Sequence, residues 1–115
     1  MDVVVFRLGP EHYGIPVAQV DQVIPVAEIS PPSAGVSERV RGCIDVHGDV
    51  MPVVDLGGRG GAWTALDLEQ QFILVRRPAG PIVLLADAVE GVRSVPDYAA
   101  LADDGVIAID DVLNG

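Results

Sequence analysis

Aliphatic residues arrive in short runs, each closed by glycine, proline or a charged residue, and this punctuation restricts the fold more than any other feature of the chain. Val3-Val4-Val5-Phe6, Phe72-Ile73-Leu74-Val75 and Ile82-Val83-Leu84-Leu85-Ala86 are the clearest of these runs. They are rich in β-branched side chains, which suit the pleated surface of a strand. An Arg or an acidic residue interrupts every apolar stretch before the ~18 residues that a membrane-spanning helix needs, so direct membrane insertion is not expected. Of 115 residues, 50% are hydrophobic but only 4% aromatic, which calls for an aliphatic, strand-built core and argues against a helical bundle. That length suits one domain, or two small subdomains with a common core.

Charge removes one class of partner. Lys and Arg together number 7 against 17 Asp and Glu, a net charge of -10, so no cationic footprint exists to neutralise a phosphate backbone and nucleic acid is excluded. The single cysteine, Cys43, lies in an apolar run and has no intrachain partner, which fits a reducing compartment. Met1-Asp2-Val3 lacks the basic start and sustained apolar segment of a signal peptide, and a cytoplasmic location is expected.

Strands are expected over Val3 to Leu8 and Tyr13 to Ile15, joined by a turn at Gly9-Pro10. Val17, Val20 and Ile24 recur at helical spacing behind Pro16, which predicts one or two helical turns. Pro25 and Ser30-Pro31-Pro32-Ser33 make residues 25 to 38 a crossover loop. Val40 to Val46, the turn His47-Gly48 and the strand ending Val53-Val54-Asp55-Leu56 form a hairpin. There Gly48 supplies a positive φ, and Pro52 requires a bulge or an edge position. A glycine-rich loop, Gly57 to Ala62, leads past Trp63 to a third hairpin, Phe72 to Arg76 and Ile82 to Ala86. The tail from Asp104 to Leu113 holds one last strand and a clipped helical turn.

The chain also echoes itself at a constant offset of 69 positions, Val3 onto Phe72. Val3 to Phe6 overlay Phe72 to Val75, Ile15 overlays Leu84, and Val20-Asp21-Gln22-Val23 overlays Val89-Glu90-Gly91-Val92. Strand, turn, strand and a Val-x-x-Val segment occur twice without a gap, which favours two similar β-subdomains over a single sandwich.

Catalytic equipment is sparse. Asp55 and Asp87 end apolar runs as the shared carboxylates of a dimeric aspartic protease would, but Asp55-Leu56-Gly57 and Asp87-Ala88-Val89 lack the hydroxyl that braces such a pair. The ordinary explanation is that these carboxylates bond nearby backbone amides. His12 and His47 are distant in sequence and have no ligand spacing, Asp103-Asp104-Gly105 with Asp110-Asp111 lacks the order of a calcium loop, and Gly57-Gly58-Arg59-Gly60-Gly61 has no phosphate-binding Lys-Ser/Thr ending. No metal and no cofactor is expected. Cys43 in an apolar strand has no access for a substrate. What remains is apolar residues in or near loops, Val20, Val23, Pro31, Pro32, Val36 and Val40, which either form a binding face or close the core under the crossover.

Several blocks then fall into a known order: Phe6-Arg7-Leu8, Tyr13-Gly14-Ile15-Pro16-Val17, the stretch from Val40 to Leu56, and Leu84 to Val92. The central block, Val40-Arg41-Gly42-Cys43-Ile44-Asp45-Val46-His47-Gly48 followed by Pro52-Val53-Val54-Asp55-Leu56, is the distinctive one. Over essentially its whole length, 1-115 as a single domain, the chain resembles the CheW-like domain of bacterial chemotaxis coupling proteins. The resemblance implies an all-β fold of two small SH3-like five-stranded barrels that share a hydrophobic core, and no catalysis. It implies an adaptor that couples the cytoplasmic tip of a chemoreceptor to the regulatory domain of a CheA-type histidine kinase. Carried over by position, the partner-binding residues are Val20, Gln22 and Val23 from the helical turn and Gly42, His47 and Gly48 around the hairpin.

Two departures from the family pattern bear on these expectations. His47 stands where the family carries Arg, replacing a permanent cation with a titratable group in the receptor contact. Between Val95 and Asp104 the chain lacks a strand expected before the closing segment, so the second barrel is incomplete and an edge is open for a partner or for a homo-oligomer. A diverged module outside chemotaxis, assembling with itself, is the alternative the residues leave open.

Overall fold

The computed structural model describes residues 1–30, 40–54, 56 and 69–109. Nine strands and one short helix occur among them: β1 (Asp2–Leu8), β2 (Glu11–Pro16), β3 (Val20–Pro25), β4 (Val40–Val46), β5 (Asp49–Val54), β6 (Gln71–Val75), β7 (Ile82–Ala86), β8 (Ala88–Ser94), α1 (Ala99–Asp103) and β9 (Val106–Ala108). They form two curled sheets, ordered β8-β1-β2-β9 and β3-β6-β7-β5-β4. The fold is all-β with a shared core, and one sheet has five strands while the other has four among the described residues.

Local chemistry accounts for the hairpins. Gly9, at φ 59°, turns β1 into β2, and Gly80, at φ 121°, turns β6 toward β7, both conformations that a Cβ disfavours. The turn between β4 and β5 is two residues long, His47 at φ 52° and Gly48 at φ 91°, the doubly positive geometry whose twist matches antiparallel strands. Pro52 follows the expected logic. It pairs with Cys43 on β4, while the parallel pairing of β5 with β7 covers Val53 and Val54, so Pro52 sits at a local edge where its missing N–H breaks no ladder to β7.

The sequence echo is carried through to the backbone register. β1 pairs β2 as Val4↔Ile15 and Val5↔Gly14, and β6 pairs β7 as Ile73↔Leu84 and Leu74↔Val83, the same pairs at the same offset. The third strand of each repeat then crosses over. β3 leaves the first hairpin to pair with β6, and β8 leaves the second to pair with β1. Ile73↔Val23 matches Val4↔Val92, and both pairings shift register at corresponding places, with Asp21 extra in β3 and Glu90 extra in β8. Each sheet is therefore completed by a strand from the other repeat.

Three apolar clusters result. Val4, Phe6, Tyr13 and Ile15 from one sheet meet Ile73, Val75, Ile82 and Leu84 from the other in the shared core, where the Phe6 and Tyr13 rings stack 5.5 Å apart. The opposite faces of the same strands fill the inside of each sheet. Phe72, Leu74, Val83 and Leu85 pack with Ile44, Val46, Met51 and Val53, and Val3 and Val5 pack with Val95, Leu101, Val106 and Ala108. Burial on both faces is why the runs read as continuously apolar rather than alternating.

One expectation is corrected and another holds. The stretch from Pro16 to Ile24 is not a helix of one or two turns; Val17–Gln19 makes a single 3-10 turn and Val20 to Ile24 belong to β3. A four-residue spacing also fits strand alternation, and pairing with β6 decides between the two. The expectation of a second sheet short of one strand holds among the described residues: β8 is followed by α1 and then β9, with no strand between them. Leu101 of α1 is fully buried, and a Cβ on Gly14 would lie 3.1 Å from Leu101 Cδ1, so this helix fills the space that the Val83 side chain occupies in the other repeat. The crossover residues Pro31, Pro32 and Val36, the loop from Gly57 to Ala62 with Trp63, Asp55, and the tail residues Asp110 to Leu113 lie outside the described residues.

Because the two sheets exchange strands and share one core, they unfold together. Leu84→Ala is expected to cost about 2–5 kcal/mol and to speed amide exchange in β1 as much as in β6; exchange rising in β6 alone would show that the sheets are independent.

Candidate partner-binding surface

The six residues singled out from sequence fall on three different structural settings. Val20, at the start of β3, is half-buried and packs against the shared core. Gln22 and Val23 follow it outward; Gln22 is exposed and Val23 is 37% exposed, opposite Ile73 at the rim of the shared core. They lie on a strand, not on the helical turn expected for them.

Gly42 is buried and belongs to the interior of the fold. The chain leaving β3 returns to β4 at this point, where Ser30 N–H donates to the Cys43 carbonyl at 2.9 Å and Cys43 N–H donates to the Ser30 carbonyl at 3.0 Å. A Cβ on Gly42 would collide with the Ser30 carbonyl oxygen and come within 2.6 Å of Ile29 Cγ2. Glycine is thus required where the segment that follows β3 bridges to β4.

His47 and Gly48 are exposed at the tip of the β4–β5 hairpin. Gly48 N–H donates to Asp45 Oδ1 at 2.8 Å, a side-chain-to-backbone bond that fixes the turn. Asp45 and Asp49 flank the turn in sequence and are exposed. Beside the turn, Val50 is 69% exposed while Met51 and Val53 point into the core. Val50 was not among the residues chosen from sequence. The alternation Val50-Met51-Pro52-Val53, with its inward set fixed by Val53, is the signal that would have exposed it. Val92 is a second such residue: it is 66% exposed and is the counterpart of Val23 in the echo.

The carboxylate weighed for catalysis has a structural task. Asp87 accepts a hydrogen bond from Gly9 N–H at 2.8 Å and another from Gln70 Nε2 at 2.8 Å, with Arg7 NH1 3.6 Å away, tying the β1–β2 turn to the β7–β8 junction. Among the described residues no group of three His, Cys, Asp or Glu side chains is placed to hold a metal ion, and no helix is long and apolar enough to cross a membrane. The exposed ion pair of Arg76 with Asp21, 3.9 Å apart, is of the weak surface kind.

A fold with reciprocal strand exchange between two curled sheets, a Gly-closed hairpin and apolar side chains at exposed rims defines an all-β interaction domain. The CheW-like domain family model matches residues 2–108, and the chain belongs to that family. Among solved structures it is similar to the scaffolding protein TtCheW from Thermoanaerobacter tengcongensis, with 28% sequence identity and a TM-score of 0.70. The match covers 85% of this chain and 63% of that one, so the chain spans somewhat under two thirds of that protein's length. A search of curated proteins finds no significant match.

The different settings separate two glycines of the hairpin by experiment. Gly42→Ala is expected to destabilise by roughly 2–4 kcal/mol, because backbone rather than a flexible side chain blocks the new Cβ. Gly48→Ala meets nothing within 4 Å and should cost only about 1 kcal/mol for its positive φ. Urea unfolding of both variants checks the order.

Proposed function

We propose that this chain is a non-enzymatic coupling domain of chemotaxis-type signal transduction, working in the cytoplasm as one CheW-like domain. In this reading it bridges the cytoplasmic tip of a chemoreceptor and the regulatory domain of a CheA-type histidine kinase. Family membership across residues 2–108 supports the reading, and likeness to a protein described as a scaffold supports its adaptor character. The observation that carries it is the signature hairpin: Gly42 is committed to the bridge with Ser30, which leaves His47, Gly48 and Val50 as the outward-facing part. An apolar side chain beside a polar turn is what a protein interface needs at its centre and rim.

Within this scheme the outer part of β3, Gln22 and Val23, adds a second contact strip, with Val20 beneath it as support. His47 in place of the family's Arg keeps a donor at the tip while giving up a fixed cation between Asp45 and Asp49 in the sequence. Receptor recognition through this tip relies on shape and apolar contact more than on charge.

Binding of purified chain to a receptor cytoplasmic fragment and to a kinase regulatory domain, followed by calorimetry, tests the proposal. Val50→Asp and Val23→Asp are each expected to weaken at least one of these complexes by about 2 kcal/mol or more with little change in thermal unfolding. Val20→Asp is expected to lower stability as well, because it drives a carboxylate against the shared core. Undiminished affinity for both partners in the Val50 and Val23 variants, or no binding by the parent chain, would remove the proposal.

A further inference from the structure

The two halves of the molecule match strand for strand and then part at one place. In the five-stranded sheet β5 lies between β7 and β4; in the other sheet its counterpart β9 lies beside β2 and has no strand on its far side among the described residues. The parallel pairs set the correspondence. Gly14↔Ala108 and Val83↔Val53 are equivalent, so Val106, Ile107 and Ala108 stand where Met51, Pro52 and Val53 stand. Those three residues pair with Ile44, Cys43 and Gly42 of β4, and the described residues contain no such partner for β9. The reason is the connection: residues 26–48 link β3 to β5 and include β4, whereas residues 95–105 link β8 to β9 and hold only α1.

This edge, without a neighbouring strand among the described residues, is also shaped. Between α1 and β9 runs a groove of about 330 Å³ lined by Tyr98, Ala102, Gly105, Val106, Ile107 and Ala108. Val106 and Ala108 are buried toward the inner cluster, so the sheet at this edge is firmly held while its outer backbone faces the groove. An edge held in this way is a template for strand addition.

We propose that the outer edge of β9 accepts an extended segment of another protein as an added antiparallel strand, in the register that β4 holds on β5. The chain's own β4 states the chemistry of the occupant: small and β-branched residues opposite β9, with basic residues beside them, as in Arg39-Val40-Arg41-Gly42-Cys43-Ile44. Charge selects a different protein over a second copy. Asp103 and Asp104 stand exposed at the entrance to β9, Asp104 being 3.2 Å from Arg93 NH1, and the whole chain carries -10. A second copy would bring the same acidic surface to an acidic edge, whereas a basic segment is drawn to it. This edge is separate from the hairpin tip and from β3, so the inference stands or falls apart from the coupling function.

The test uses a peptide of residues 39–46 carrying Cys43→Ser, titrated into the full chain and followed by amide chemical shifts and by fluorescence anisotropy. Saturable binding is expected, with the largest shifts at Val106 to Ala108. Ala102→Arg, which puts bulk and positive charge into the groove from an exposed helix position, should weaken binding about tenfold or more without moving the unfolding midpoint. A peptide with Arg39→Glu and Arg41→Glu should bind about tenfold more weakly than the parent peptide, and Val50→Asp in the protein should leave binding unchanged. Absence of saturable binding overturns the proposal. Shifts centred on Asp49 to Val54 overturn it too, since the peptide has then replaced β4. So does a concentration-dependent dimer in sedimentation that Ala102→Arg dissolves, because the occupant is then a second copy.

Discussion

Burial of β1 and β6 on both faces is the constraint from which the rest of this structure follows. Val4 and Phe6 look into the shared core while Val3 and Val5 look into the four-stranded sheet's own interior; Ile73 and Val75 do the same against Phe72 and Leu74. A strand apolar on both faces cannot lie on the surface of a sandwich, and it needs hydrogen-bonding neighbours on each side as well. The hairpin partner supplies one neighbour. The other comes from the opposite repeat, β8 for β1 and β3 for β6. Reciprocal exchange therefore does two jobs at once: it satisfies the backbone of β1 and β6 and welds two small sheets into one core.

Consequences for binding follow from where the exchange leaves its edges. β3 and β8 are edge strands in equivalent positions, each with an exposed valine, Val23 and Val92, at the rim of the shared core. Their bulges at Asp21 and Glu90 place an acidic residue in each edge, with Arg76 near the first and His12 3.0 Å from the second. Charged bulges on an edge strand oppose indiscriminate sheet-to-sheet pairing. The other two edges differ: β4 is held by the Ser30 bridge that Gly42 makes room for, and the outer edge of β9, beyond its pairing with β2, has no strand among the described residues.

Much of this was legible in the chain. The three hairpins were marked by aliphatic runs and by Gly9, Gly48 and Gly80, each at a position where a positive φ is needed. The offset between Val3 and Phe72 anticipated two like subdomains, and it holds down to the bulges. Local pattern could not reveal which sheet a third strand would join, because nothing within Val20-Asp21-Gln22-Val23-Ile24 distinguishes folding back on β2 from crossing to β6. The same stretch reads as helical because Val17, Val20 and Ile24 are spaced by three and four, and pairing of Val20 to Ile24 with β6 overrides that period. Site residues were less legible than fold for a related reason. Val20, Gly42 and His47 are marked only by position in a motif, and position alone does not tell a buried residue from an exposed one. Only burial separates Gly42, which makes room for the Ser30 bridge, from His47 and Gly48, which face outward.

The shorter connection between β8 and β9 changes the balance between stability and reach in the two halves. In the five-stranded sheet, Ile44 and Val46 of β4 complete the inner cluster and the segment after β3 bridges to β4 through Ser30 and Cys43. In the four-stranded sheet, Leu101 and Val95 supply the missing apolar bulk from a helix and a loop. A helix can replace the volume of a strand's side chains, but its backbone bonds are internal and cannot pair with β9. Core packing and edge satisfaction, which one strand settles together in the first sheet, are thus separated in the second. That separation explains how the half with fewer strands keeps fully buried Val3 and Leu101 while the outer edge of β9 has no strand beside it among the described residues.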